Sequence, residues 1–206
     1  APAKRRAQPV LLAHHRIPLL TRFALERAGE VGGDRLRLID FLQEENIPQE
    51  ENIVVDFQAD TKTGAIEKLV DLLIQTHALP KDTRVPLLES VLNREAEAST
   101  CLGGGLAVPH GILPSSQPMV GVMAISRSGL HFDAPDGRPI HCMVLLGTSS
   151  EERERHLQVL AALASNVGTD LALQEQLFNA KSPAHACEIL HGEESEDFNY
   201  FLDDES

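Results

Sequence analysis

His110 closes the run Ser99-Thr100-Cys101-Leu102-Gly103-Gly104-Gly105-Leu106-Ala107-Val108-Pro109-His110-Gly111. A glycine stretch leads into a short apolar segment that Pro-His-Gly ends. The pattern predicts one imidazole at the exit of a strand, beside a glycine that leaves its rim uncovered. A neutral imidazole whose ring is held in place is a nucleophile towards phosphorus. A phosphoryl group on that ring would carry close to two negative charges and would need donors and a cation around it. His156 lies in the first turns of a predicted helix, on the same side as Val159, Leu160 and Leu163. It therefore sits at the edge of a buried face, from which it can donate to a phosphoryl oxygen. Arg94 ends the helix that feeds the glycine loop, and its planar fork gives two parallel hydrogen bonds to phosphate oxygens. Ser99 and Thr100 offer hydroxyl or backbone donors. Gly105, with Gly103 and Gly104, lets backbone N–H groups approach an anion.

Each of these residues taken singly is more often structural than chemical; their combination carries the reading. The glycines form neither a P-loop, since no Gly-Lys-Ser/Thr follows, nor a dinucleotide fingerprint. A metal site built from His110, His156 and His141 has no close ligand spacing behind it, so no metal is expected. Cys101, Cys142 and Cys187 are odd in number and widely spaced, which suits packing residues in a reducing compartment.

The elements that must position these groups follow from periodicity. Asn52 to Phe57 reads as a strand. Thr61 to Thr76 reads as a helix with Ile66, Leu69, Val70 and Leu73 on one face, capped by Asp60 or Thr61. Val85 to Glu97 reads as a second helix with Leu88, Val91 and Leu92 inward and Pro86 confined to its first turn. Met119 to Ser126 and Pro139 to Gly147 read as strands, the latter continuously apolar and so central. Ala134-Pro135-Asp136-Gly137 is a turn between them, which predicts an antiparallel hairpin with a long loop. Ser149 and Glu152 have capping-box spacing ahead of a helix to about Asn166. Leu171 to Phe178 and Pro183 to Leu190 read as two shorter helices. Helices before and after a set of strands predict an α/β fold, a mixed β-sheet sandwiched by helices on both faces.

Before this domain, residues 1–18 carry Pro2, Pro9 and Pro18 and read as irregular. Leu19 to Glu30 and Arg35 to Glu45 read as short helices of an extension with no core of its own. The expected organisation is a basic extension or linker over 1–47, the main domain over 48–192, and an acidic tail over 193–206. Residues 1–38 hold eight basic against three acidic side chains, whereas the tail has no base at all. The formal net charge is −13. Such a surface repels nucleic acid and suits a basic protein partner. No apolar run is long enough to span a bilayer and no secretory start is visible, so the expected location is the cytoplasm.

The stretch from about Ile53 to Leu190 resembles the IIA domain of the bacterial phosphotransferase system, of the mannitol/fructose and nitrogen-regulatory type. The matching residues are the Arg94-Glu95 helix end, Ser99-Thr100 with the glycine loop, and Ala107-Val108-Pro109-His110-Gly111. Gly129-Leu130-His131-Phe132-Asp133-Ala134, Asp136-Gly137 and His156-Leu157-Gln158 continue the match. The resemblance implies that His110 accepts a phosphoryl group and that His156 and Arg94 are the second histidine and the arginine of the site. It implies an HPr-like carrier as donor, a IIB domain or a regulated target as acceptor, and no metal or organic cofactor. Cys101 and Gly104 in the glycine loop and Ile112 after Gly111 depart from the usual family pattern. Ile112 stands where a basic residue is frequent.

The first expectation is a phosphocarrier closer to the nitrogen-regulatory kind than to a sugar-uptake IIA. The alternative is a non-catalytic sensor, the IIA-like domain of a membrane transporter, tethered at the inner face of the membrane through the basic extension. A metal-dependent hydrolase is disfavoured because no carboxylate-rich site converges on His110.

Overall fold

The computed structural model describes residues 50–114 and 118–191. The extension and tail, with the helices expected in residues 19–45, lie outside the described residues. Strands β1 (Ile53–Val54), β2 (Cys101–Gly103), β3 (Leu106–Ala107), β4 (His110–Ile112), β5 (Val120–Leu130) and β6 (Ile140–Thr148) form one mixed sheet. The helices are α1 (Lys62–Thr76), α2 (Arg84–Glu97), α3 (Arg153–Ser165), α4 (Leu171–Phe178) and α5 (Pro183–His191). The order across the sheet is β1-β5-β6-β3-β2, and β4 also pairs with β6. β5 and β6 are the antiparallel hairpin, with Met123 opposite Val144. β3 and β4 both run parallel to β6 along its other edge, at successive positions.

Alternation along the strands divides the core into two layers. On one side Val122, Ala124, Met143 and Leu145 meet Ile66, Leu69, Val70 and Leu73 of α1 and Leu87 and Val91 of α2. On the other, Met123, Ile125, Cys142, Val144 and Leu146 meet Val159, Leu160 and Leu163 of α3, Leu177 of α4 and Ala186 of α5. This is the expected mixed sheet with helices on both faces. Among the described residues no helix is long and apolar enough to cross a membrane.

Several local details differ from the sequence reading. The first strand is only two residues long. Asp56 adopts a positive φ of 54° and ends it, although the Phe57 N–H still reaches the Ile125 carbonyl at 2.9 Å. α2 buries Leu87 and Val91 completely, while Leu88 and Leu92 are half-buried on its flanks. The expected capping box at Ser149 and Glu152 does not form. The helix begins at Arg153 with Glu152 as its cap position and no side-chain cap bond; the Glu152 N–H instead closes a turn onto the Ser149 carbonyl at 3.3 Å. The Thr61 cap is present, its hydroxyl accepting from the Gly64 N–H at 3.0 Å.

Candidate functional site

His110 is not at a strand exit. It opens β4, opposite Leu146 of β6. Between β3 and β4 the chain leaves the ladder at Val108-Pro109, where Pro109 has no N–H to give but its carbonyl accepts from Leu146 at 3.0 Å. This break folds the Val108 carbonyl towards the side chain two residues on, that of His110. His110 Nδ1 donates to it at 2.9 Å. A carbonyl can only accept, so Nδ1 carries the proton and Nε2 keeps its lone pair.

Gly111 does not leave the rim uncovered either. A Cβ built there would lie 2.6 Å from Val91 Cγ2 and 3.0 Å from the Val91 nitrogen, so the glycine is where α2 presses on β4. Because Gly111 faces α2, alternation turns His110 to the opposite face, the side of α3. There it meets His156, whose ring centroid is 4.6 Å away at an interplanar angle of 57°.

His156 is 8% exposed, and its Nδ1 is buried without a hydrogen-bond partner. Burial pushes its pKa down to about 3, with further lowering from His110 and Arg94. His110 is also held below the ordinary imidazole value. Burial is the main cause and Arg94 adds to it, while the bond to Val108 and the charge of Glu95 oppose it. Both rings are therefore neutral at pH 7, the form a nucleophile requires.

Arg94 stands on the last turn of α2. Its Nη1 donates to the Ala98 carbonyl at 2.9 Å, which fixes the guanidinium, and its Nε is buried with no partner. Arg94 acts electrostatically on both imidazoles, and its unpaired buried N–H can donate to an anion placed there.

The remaining expected phosphoryl ligands are placed differently. Thr100 is 3% exposed and its donors are committed: both its N–H and its hydroxyl bond to the Glu95 carboxylate. Ser99 Oγ accepts from Lys62 Nζ at 3.2 Å and from the Cys101 N–H at 3.4 Å, which leaves its own proton to give. Gly105 is not brought to His110. It precedes Leu106, which pairs with Cys142, four residues along β6 from the partner of His110, a separation of about 13 Å. The three glycines all have positive φ, at 90°, 62° and 82°. They make the tight turn between β2 and β3, pinned by the Asp136 carboxylate on the Gly104 N–H at 2.9 Å. Lys62 was not singled out in the sequence, yet its ammonium forms an ion pair with Glu95 below the Ser99-Thr100 turn. Its distance from Glu95 along the chain leaves no local spacing signal; only the Thr61 cap marks that point. Among the described residues no three His, Cys, Asp or Glu side chains gather as a metal-binding group.

This fold, with a neutral histidine pair near an arginine, has the form of a phosphoryl-handling domain. Residues 46–192 match the family model described as phosphoenolpyruvate-dependent sugar phosphotransferase system, EIIA 2. The chain belongs to that family. It is 34% identical over 131 residues to the fructose-specific EIIA component of the phosphotransferase system in Haloferax volcanii, covering 63% of this chain and 82% of the relative. The crystal structure of the nitrogen regulatory protein IIA-Ntr from Neisseria meningitidis superposes with a TM-score of 0.63 at 30% identity, covering 72% of this chain and 99% of that one. The mannitol IIA of Escherichia coli, solved in complex with phosphorylated mannitol IIB, shares the fold with a TM-score of 0.57 at 24% identity, over 69% of this chain and 95% of its own.

Proposed function

We propose that this protein is a phosphocarrier that holds its phosphoryl group on His110 Nε2. The observation that carries the reading is the bond from His110 Nδ1 to the Val108 carbonyl, which leaves the Nε2 lone pair free near the unpaired Nε–H of Arg94 and the unpaired Nδ1 of His156. In-line attack forms a bond from Nε2 to phosphorus, and the bond from phosphorus to the donor breaks with its electron pair returning to the donor. The His110 ring then carries a positive charge, and the Nδ1–H stays on the Val108 carbonyl, which stabilises it. Arg94 Nε–H and a His156 N–H supply fixed donors to the phosphoryl oxygens. The donor we propose is an HPr-like carrier. The acceptor is a IIB domain, as in the mannitol complex, or a target read through the phosphorylation state, as the name of the nitrogen regulatory relative indicates. Relatives bearing those names favour a carrier over a sensor without turnover. Residues 48–192 form the phosphotransfer domain, residues 1–47 a basic extension and residues 193–206 an acidic tail. The working place is the cytoplasm, and the extension would serve a membrane tether if a transporter is the partner.

The test is incubation with a phosphorylated HPr-type carrier, followed by mass spectrometry under alkaline conditions. An acid-labile label on His110 of the wild type, absent in His110→Ala, is expected. Labelling of His110→Ala at the wild-type rate, or no label from any carrier on the folded wild type, overturns the reading.

A further inference from the structure

We infer that Glu95 is a positioning residue for His110, acting through the hydrogen-bonded line Lys62, Glu95, Thr100, Val108, His110; the inference deepens the phosphocarrier reading and rests on it for its kinetic consequence. Glu95 follows Arg94 on the last turn of α2 and its side chain is only 10% exposed. A carboxylate taken out of water is costly unless it is paired and hydrogen-bonded. Here it has both forms of compensation. The Lys62 ammonium, from the first turn of α1, forms an ion pair with it. The Thr100 N–H lies 3.2 Å from each of its oxygens, and the Thr100 hydroxyl donates to it as well.

The line continues through the backbone. The Thr100 carbonyl accepts from the Val108 N–H at 3.0 Å, and the Val108 carbonyl accepts from His110 Nδ1 at 2.9 Å. Thr100 is 3% exposed and Val108 fully buried, so water does not compete for these links. Bonds to a charged acceptor are shorter and stronger than neutral ones, which makes Glu95 the stiff end of the line. The Val108 carbonyl sits in the break between β3 and β4 and has no ladder partner to hold it. Its direction is set by the Thr100 turn, and the Thr100 turn is set by Glu95. Without the carboxylate the turn relaxes, the carbonyl drifts, and the ring proton is free to occupy Nε2. In that tautomer Nε2 has no lone pair with which to attack phosphorus.

The experiment reads the ring directly. Long-range proton–nitrogen spectra of the unphosphorylated, nitrogen-15-labelled full chain report which nitrogen of His110 bears the proton. The wild type is expected in the Nδ1–H form and Glu95→Ala in a mixture with Nε2–H. Phosphorylation of Glu95→Ala by the carrier should lose about tenfold to a hundredfold in kcat with its KM for the carrier kept. Glu95→Gln, which keeps one carbonyl acceptor for Thr100 but no charge for Lys62, should fall between. If Glu95→Ala does not fold, Glu95→Gln and Thr100→Val decide on the same spectra. A folded variant with the wild-type tautomer and wild-type kcat overturns the inference. The spectra need no phosphoryl donor, so a wild type that takes no label defeats the phosphocarrier reading alone.

Discussion

At the scale of single residues, the neutral pair of imidazoles ties stability to pH. His156 titrates at about 3 in the fold because of burial first, then His110 and Arg94, against 6.5 for the free side chain. Between those values the unfolded chain binds a proton that the folded chain refuses, so stability is lost as pH falls through that window. One such group gives a slope of about 1.4 kcal/mol per pH unit. Urea unfolding at about pH 7 and about pH 5 should therefore show the wild type losing roughly 2 kcal/mol more than His156→Gln, which has no ring to protonate. Equal losses would mean that His156 takes up its proton inside the fold. The three residues that carry the proposed chemistry were legible in the sequence for a physical reason. A histidine before glycine, a histidine on the apolar side of a helix, and an arginine on a last helical turn each leave a local mark. The Val108 carbonyl and the Lys62–Glu95 pair leave none, because any residue supplies a carbonyl and the pair is joined only by tertiary contact. Gly105 shows the opposite error. Its freedom of φ was legible, but the turn uses that freedom to reverse the chain, and the site lies further along β6.

At the scale of elements, the site depends on how closely α2 approaches β4. A glycine at 111 is the condition for that approach, since a methyl group would lie 2.6 Å from Val91 Cγ2 and 3.0 Å from the Val91 nitrogen. The side chain can rotate away but the backbone nitrogen can only move with the helix. Gly111→Ala should therefore cost about 1–3 kcal/mol in urea unfolding. It should also slow labelling of His110, because α2 carries Arg94 at its end. A wild-type midpoint in Gly111→Ala would show that the helix yields freely there. This contact also explains which elements the sequence disclosed. α1, α4 and the β5–β6 pair carry enough residues for a period to emerge, and the turn at Ala134–Gly137 closes with the expected bond from the Gly137 N–H to the Ala134 carbonyl at 3.0 Å. β2, β3 and β4 have two or three residues each and take their identity from pairing, β3 and β4 with β6 and β2 with β3, so no local period can mark them. The inward side of α2 shifted from Leu88 and Leu92 towards Leu87 because the bare Gly111 backbone draws that side down onto the sheet.

At the scale of the whole molecule, both apolar layers are built from residues between Ile53 and Leu190 among those described. The large fully buried side chains include Ile66, Leu69, Leu73 and Leu87 from the helices, and Met123, Ile125, Ile140 and Met143 from the sheet. A domain of about 150 residues buries roughly 70% of the surface its unfolded chain exposes, enough to fold without help. The proposed division at 48 and 192 then has a direct consequence. A protein of residues 48–192 should unfold in one cooperative urea transition with the midpoint of the full chain. A markedly lower midpoint, or aggregation, would place part of the core in the flanking segments and defeat the division. The flanks differ sharply in charge, basic over residues 1–38 and without a base after residue 192. Electrostatic contributions of exposed segments act mainly on the rate of encounter and weaken with salt. Loss of the flanks should therefore change the labelling rate by a carrier at low ionic strength and converge on the full-chain rate as salt is raised. A difference that survives at high salt would mean that the flanks touch the partner directly.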